Sequence, residues 1–184
     1  MKSDYRVRAR KFLKSLWKYL DHIDIHDVYM VESALRDYVS DHPSRRVDLC
    51  YGSARMAIIT ADYVIKWDYD EENIEEIGGC DSEQWVYENA KRAGFSHLFA
   101  EVTPCSFEGY EFVIMPRIPN IGRAAHERLH CMDISEMLTE AEEDYISSIH
   151  LTDLHTFNWG IKNHKPVIID YAYIQDCGET SESY

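Results

Sequence analysis

The sequence predicts an α+β protein, with a sheet-rich half before about Met115 and a helical half after it. Residues 47–68 and 98–118 are rich in β-branched and aromatic residues and are divided by turn signals. The segments around them have apolar residues at helical spacing. Consecutive strands joined by short turns, with helices outside them, indicate the α+β class. The chain has 184 residues, 45% of them hydrophobic, enough for one domain or two small lobes.

Two helices are predicted before the first strand. Over residues 5–20, Lys and Arg occupy one helical face, and the other face carries Val7, Phe12, Leu13, Leu16, Trp17 and Leu20. Residues 27–40 form a second candidate, which ends before Pro43 because a residue preceding proline avoids the helical conformation. We expect the first helix to dock on an acidic body. Binding of a partner or a nucleic acid through its basic face is the alternative.

The middle of the chain predicts strands and one helix. Residues 47–68 favour two or three antiparallel strands, and an acidic loop over residues 71–81 follows them. A helix is predicted over residues 82–93, and Gly94 ends it because glycine readily adopts the left-handed conformation of a helix terminus. Residues 98–118 then predict a hairpin.

The second half is predicted to be helical apart from one small hairpin. Pro116 ends the strand pattern, and residues 134–150 have helical spacing with a capping box between Thr139 and Glu142. The stretch 160–170 is a short hairpin pattern that ends on an aspartate.

Four polar residues near the ends of these elements suit a phosphate-handling cleft. Asn158 and Asp170 flank the small hairpin, whose return brings its two ends together. Their amide and carboxylate oxygens are hard ligands that suit Mg²⁺. Asp153 precedes them, and Lys66 ends a strand of the sheet-rich half. A cation, a metal and a free carboxylate around one cleft are what phosphoryl transfer requires.

The order of these residues resembles the protein-kinase-like superfamily, and most closely the short kinase-like proteins encoded by bacteriophages. DLHTFN resembles the catalytic loop, VIIDYA the strand ending in the metal-binding aspartate, and YVIK the strand with the ATP-contacting lysine. The resemblance spans about residues 47–173 and implies ATP and Mg²⁺ as cofactors. It implies Asp153 as catalytic base, Asn158 and Asp170 as metal ligands, and Lys66 as the phosphate-binding lysine.

Two further roles follow from the same resemblance. Lys66 is expected to form an ion pair with a glutamate of the next helix, Glu83 or otherwise Glu88. His155 joins the catalytic candidates because it stands where protein kinases usually have lysine, an arrangement similar to small-molecule phosphotransferases.

The resemblance also indicates where the nucleotide would lie. CYGSARMAI stands in the place of a glycine-rich phosphate loop, so phosphate contacts are expected at Gly52 and Ser53, although Gly52 is its single glycine. FVIMPRI resembles the hinge, so the backbone around Met115 and Arg117 is expected to contact adenine.

The implied fold is a compact two-lobed kinase-like fold in three parts. These are an N-terminal helical extension (1–45), a small sheet-rich lobe (46–115) and a truncated helical lobe with the catalytic loop (116–184). The implied activity is phosphate transfer to a protein Ser or Thr in the cytoplasm of a phage-infected bacterium, with host proteins as substrates. Fourteen residues follow Asp170, too few for the segments that hold a peptide in a full kinase.

Two other functions are compatible with these residues. The net charge is −14, and residues 1–18 alone carry +6, so the remainder carries −20. A catalytically inactive kinase-like protein would bind and inhibit a host partner through this acidic surface. The acidic body disfavours nucleic acid as a partner. A small-molecule kinase is the third possibility.

A rival motif points to zinc chemistry. HERLH matches H-E-x-x-H, in which His126 and His130 would share one helical face and bind Zn²⁺, with Glu127 as general base. Arg128 places a charge inside the motif, and a polar helical face is the alternative interpretation.

The remaining features limit location and partners. No stretch approaches the roughly 18 apolar residues of a membrane helix, and the basic N-terminus lacks the apolar segment of a secretory signal. Five scattered cysteines without a CxxC pair are typical of reduced thiols in a cytoplasmic protein. Arg45 and Arg46 are either a phosphate-binding pair or a solvated one.

Overall fold

The computed structural model describes residues 4–70, 79–120, 134–151, 154 and 156–171. Within them the protein has two N-terminal helices, a five-stranded antiparallel sheet, two further helices and a small two-stranded sheet. This architecture confirms the predicted α+β class. No helix in these residues is long and apolar enough to cross a membrane.

The first two helices lie where the sequence predicts them. Helix α1 is Tyr5–Leu20 and helix α2 is Val28–Asp41. Each begins after an aspartate that accepts backbone hydrogen bonds, Asp4 from Arg6 and Asp27 from the first turn of α2. Such caps satisfy amide groups that have no partner within the helix.

The basic helix α1 is docked rather than free. Its buried residues are Ala9, Phe12, Leu13, Leu16 and Leu20, which pack in one core with α2 and the large sheet. Val7, which the sequence analysis assigned to the inner face, is instead 46% exposed, so that prediction was wrong. The cause is geometric, because the buried stripe begins at Ala9 and Val7 lies on its far side.

The large sheet contains five antiparallel strands in the order β1-β2-β3-β5-β4. They are β1 Asp48–Tyr51, β2 Arg55–Ile59, β3 Tyr63–Asp68, β4 Thr103–Phe107 and β5 Tyr110–Pro116. Successive side chains of a strand point to opposite faces. On β3, Tyr63, Ile65 and Trp67 join the core with α1 and α2, whereas Val64 packs in the core on the opposite face. Lys66 shares the face of Val64.

Helix α3, Cys80–Ala93, follows β3 and packs on the face that carries Val64. It starts two residues earlier than predicted, because the Asp68 carboxylate accepts a hydrogen bond from the Cys80 amide at 3.0 Å. It ends at Gly94, which has the expected left-handed conformation with a φ of 86°. Of the predicted acidic loop, residues 71–78 lie outside the described residues.

The predicted helix over residues 134–150 is wrong as a single element. Ile134–Met137 is a short 3-10 helix, and α4 is Glu140–Ser148. Thr139 between them has an extended backbone and forms the expected capping box with Glu142. An N-cap residue leaves the helical conformation, so the box itself separates the two elements.

The small hairpin agrees with the sequence prediction. Strands β6, Trp159–Lys162, and β7, Lys165–Ile168, are joined by Asn163 and His164, both with positive φ. Two such residues form the turn that matches the twist of a tight hairpin. Asp170 follows β7 after one residue.

Backbone hydrogen bonds attach the small hairpin to the segments just before β4 and just after β5 of the large sheet. The Ala100 amide donates to the Ile168 carbonyl at 2.8 Å, and the Ile161 amide donates to the Pro119 carbonyl at 3.2 Å. The end of β7, and with it Asp170, is therefore held against the sheet face that carries Lys66.

Candidate active site

Lys66 and Glu83 form the centre of the site. Lys66 faces α3, whose first turns carry Glu83, and Lys66 Nζ lies 2.6 Å from Glu83 Oε1. Glu83 is fully buried and Lys66 is nearly so. The expected ion pair is therefore present with Glu83. The alternative partner, Glu88, contacts Lys91 at 3.6 Å instead.

Lys66 also contacts the segment after the small hairpin. Its Nζ donates to the Ile169 carbonyl at 3.2 Å and to Asp170 Oδ1 at 3.4 Å. Three separate segments, β3, α3 and the end of β7, thus meet at one ammonium group. Lys66 therefore lies close to Asp170, as the sequence predicts.

Arg55 belongs to this site, and the sequence analysis missed it. Its Nη1 lies 2.9 Å from Glu83 Oε1, and its Nη2 donates to Asp170 Oδ1 at 2.7 Å. No local pattern indicated it, because the role of Arg55 depends on the strand pairing that places Ala57 opposite Lys66. Arg55 is two residues before Ala57 and therefore faces the same side of the sheet. We call Arg55, Lys66, Glu83 and Asp170 the ion cluster.

The ion cluster determines the charge states of Arg55, Lys66 and Asp170. Partial burial by itself would raise the pKa of Asp170, but Lys66 and Arg55 outweigh it and hold that pKa well below its usual range. Burial by itself would lower the pKa of Lys66, but Asp170 and Glu83 raise it overall. The pKa of Arg55 is raised in the same way. Both cations and Asp170 are therefore charged at neutral pH.

Asn158 lies beside the ion cluster. It ends a 3-10 turn before β6, it is 7% exposed, and its carbonyl accepts a hydrogen bond from the Ile169 amide at 2.7 Å. Asn158 is therefore held next to the residue that precedes Asp170. The hairpin does return its two ends to one place, as the sequence predicts.

Asn158 and Asp170, the two predicted magnesium ligands, both belong to the described residues. The described residues hold no group of three or more His, Cys, Asp or Glu side chains that would bind a metal. One amide and one carboxylate nevertheless suit Mg²⁺, which keeps several water or phosphate ligands. The Asp170 side chain is 42% exposed, so it is accessible to an ion.

Five candidate residues lie outside the described residues. They are Asp153 and His155 of the catalytic-loop stretch and His126, Glu127 and His130 of the HERLH stretch. Their proposed roles stay predictions from the sequence.

The turn between β1 and β2 is held by hydrogen bonds to both backbone polar groups of Gly52. The Gly52 amide donates to the Arg55 carbonyl at 2.9 Å, and the Gly52 carbonyl accepts from the Tyr69 hydroxyl at 2.7 Å. The amide of Gly52 is thus already used, unlike the free amides of a glycine-rich loop. A phosphate contact by Gly52 or Ser53 stays a prediction, and the side chain that this turn delivers into the site is Arg55.

The predicted hinge residues have different environments. Met115 is buried in β5 opposite Val64. The Arg117 amide donates to the Asp62 carbonyl at 2.9 Å, and its guanidinium donates to the Thr60 carbonyl at 3.0 Å. Arg117 therefore fastens the end of β5 to the β2–β3 turn, and its amide is already bonded.

No protein-family model matches this chain, and no curated protein is significantly similar to it. The function is therefore inferred from the residues of the site.

Proposed function

We propose that the protein is an ATP- and Mg²⁺-dependent phosphotransferase that acts on a protein Ser or Thr. The observation that carries this proposal is the ion cluster, in which a buried lysine lies between Glu83 and Asp170 from two other segments. A phosphate-binding lysine is held by a helix glutamate beside a metal-binding aspartate in kinases. Packing of a hydrophobic core alone does not require charged side chains from three segments at one buried point.

We further propose a protein-kinase-like fold. Its parts would be a helical extension over residues 1–45, a sheet-rich lobe over 46–115 and a helical lobe over 116–184. In support, the helix after β3 carries the glutamate that pairs with Lys66, and the chain leaves the sheet after β5. The helices α1 and α2 share one core with the sheet, so the extension stabilises the sheet-rich lobe.

Each residue of the site would have a separate role in phosphate transfer. Lys66 and Arg55 bring two positive charges toward the phosphate oxygens of ATP. Asp170 and Asn158 would hold Mg²⁺, which neutralises charge on the phosphates when it is bound. Asp153 would accept or orient the proton of the attacking hydroxyl, with His155 beside it in the sequence. The substrates would be host proteins in the cytoplasm of a phage-infected bacterium.

A second candidate is a catalytically inactive kinase-like protein that binds and inhibits a host partner. One observation favours it. Arg55 and Lys66 already contact the Asp170 carboxylate, and the Gly52 amide is bonded within its turn. The charge of −14 would then supply an acidic binding surface.

The experiment that tests the proposal is phosphate transfer from labelled ATP to proteins of a bacterial lysate. Asp153→Asn should lower transfer by about 10²-fold or more, because a general base contributes roughly this much, and should leave ATP affinity unchanged. Asp144→Asn, an exposed position on α4, is the matched control and should keep full activity.

The same experiment separates the candidates. If the cellular effect of the protein survives Asp153→Asn, Lys66→Ala and Asp170→Ala without change, catalysis is not its function, and the binding protein is supported. Label that appears only in small molecules would indicate a small-molecule kinase instead.

A further inference from the structure

A cavity of about 330 Å³ opens where α1, the segment before β1 and the β2–β3 turn meet. Phe12 and Tyr63 line it, and both belong to the core on the α1 side of the sheet. No member of the ion cluster lines this cavity. It is therefore a separate place in the fold from the candidate active site.

Basic side chains dominate the cavity wall. Arg8 and Lys11 come from α1, Arg45 and Arg46 come from the segment before β1, and Asp62 is the one acidic residue of the lining. Four positive charges around one opening stand out in a chain whose net charge is −14. The cavity is thus a local positive site in a negative protein, and it favours an anionic occupant.

Few of these cations are satisfied by the protein. Arg8 pairs with Asp62 at 3.0 Å, yet Arg8 Nε is shielded from solvent without a hydrogen bond among the described residues. In that same part of the chain, Lys11, Arg45 and Arg46 make no ion pair. Three side-chain charges without an ion pair leave room for several hydrogen bonds to an anion.

One wall of the cavity is held in place by hydrogen bonds within the protein. The Thr60 hydroxyl donates to the Tyr63 carbonyl at 2.8 Å and accepts from the Tyr63 amide at 3.1 Å. Arg117 donates to the Thr60 carbonyl from the other side at 3.0 Å. A turn fixed in this way loses little conformational freedom when a ligand binds.

We propose that this cavity binds a small ligand whose phosphate groups carry two or more negative charges, such as a phosphate ester or a pyrophosphate. Guanidinium groups bind phosphate through paired, charge-assisted hydrogen bonds, and three of the four cations are arginines. The volume lies at the lower end of small-molecule pockets, roughly 300–1,000 Å³. The acidic body opposes a long polyanion such as nucleic acid, which must extend beyond the cavity.

The test is a calorimetric titration of the full-length protein with pyrophosphate, without magnesium and at constant ionic strength. Arg45→Gln with Arg46→Gln should weaken binding by about tenfold or more, because two charged hydrogen-bond donors are lost. Both arginines are exposed, so the fold should be kept. Lys162→Gln with Lys165→Gln is the matched control, since it removes two exposed charges from the small hairpin and should leave binding unchanged.

Three results would overturn the proposal. The first is equal pyrophosphate affinity in the wild type and the arginine double variant. The second is equal weakening in both double variants, which would indicate general charge attraction. The third is tighter binding of a short oligonucleotide than of pyrophosphate through the same arginines, which would make this a nucleic-acid surface. If the wild type binds pyrophosphate but does not bind Mg²⁺–ATP, only the proposed function is contradicted.

Discussion

Arg55 Nη2 donates to Asp170 Oδ1 at 2.7 Å, across 115 positions of the sequence. The same guanidinium contacts the fully buried Glu83, so one side chain connects β2 with α3 and with the end of the small hairpin. Breaking a buried ion pair on one side leaves the other charge uncompensated in a medium of low polarity. Arg55 is therefore expected to contribute both to folding and to the position of Asp170.

The first prediction concerns the stability of the ion cluster. Arg55→Met should lower the free energy of unfolding by about 3 kcal/mol or more, measured by urea denaturation. The matched control is Arg36→Met, which removes an exposed arginine paired with Glu32 at 3.0 Å on α2. That loss should stay within about 1 kcal/mol, as for other surface pairs. Equal losses in both variants would show that the ion cluster does not stabilise the fold.

The second prediction concerns pH. The folded-state pKa of Asp170 lies below its ordinary value, which is about 3.9 in an unfolded chain. Its stabilising contribution is therefore complete above about pH 4 and is lost as pH falls through the folded-state pKa. The urea midpoint should fall less steeply below about pH 4 in Asp170→Asn than in the wild type, and Asp144→Asn should keep the wild-type slope. Parallel profiles for wild type and Asp170→Asn would contradict this account.

The third prediction concerns the attachment of the small hairpin. A Cβ added at Gly160 would lie 2.6 Å from Ile118 Cγ2 and 2.8 Å from the Pro119 carbonyl oxygen. Gly160→Ala should therefore destabilise the protein by about 1–3 kcal/mol, because the link after β5 must move. At Gly52 an added Cβ meets nothing within 4 Å, so Gly52→Ala is the matched control and should unfold like the wild type. Thermal unfolding of both variants provides the measurement, and equal midpoints would refute the close packing.

Much of this architecture was predictable because local chemistry determines it. The left-handed Gly94, the capping box at Thr139 and the hairpin turn each have a short-range signature. The pairing of Lys66 with Glu83 was expected from the resemblance to kinase-like proteins, which left Glu88 as the alternative partner.

Other features depend on contacts that no local pattern encodes. Arg55 looks like an ordinary polar residue of a strand until β2 is paired with β3 and the hairpin is placed below them. Val7 was assigned to the buried face of α1, although at 3.6 residues per turn it lies on the side opposite Leu16, so its exposure follows from the helical spacing itself. The environment of Arg55 is therefore set by tertiary packing, whereas that of Val7 is set by helical periodicity.

The fourth prediction concerns the rival zinc motif. If the HERLH stretch is a polar helical face, the purified protein should contain no stoichiometric zinc by elemental analysis. His126→Ala with His130→Ala should then leave phosphate transfer intact. One zinc per chain, lost in that double variant, would support a hydrolase instead.

The most direct test of the central claim is a calorimetric titration of the protein with ATP, with and without Mg²⁺. The account predicts binding below about 1 mM that is strengthened by Mg²⁺, the usual range for enzyme substrates. Asp170→Ala should abolish the Mg²⁺-dependent part, because a site with few protein ligands loses its only charged one. Asp144→Ala should bind as the wild type does. No binding of Mg²⁺–ATP to the wild type, or unchanged Mg²⁺ dependence in Asp170→Ala, would contradict the account.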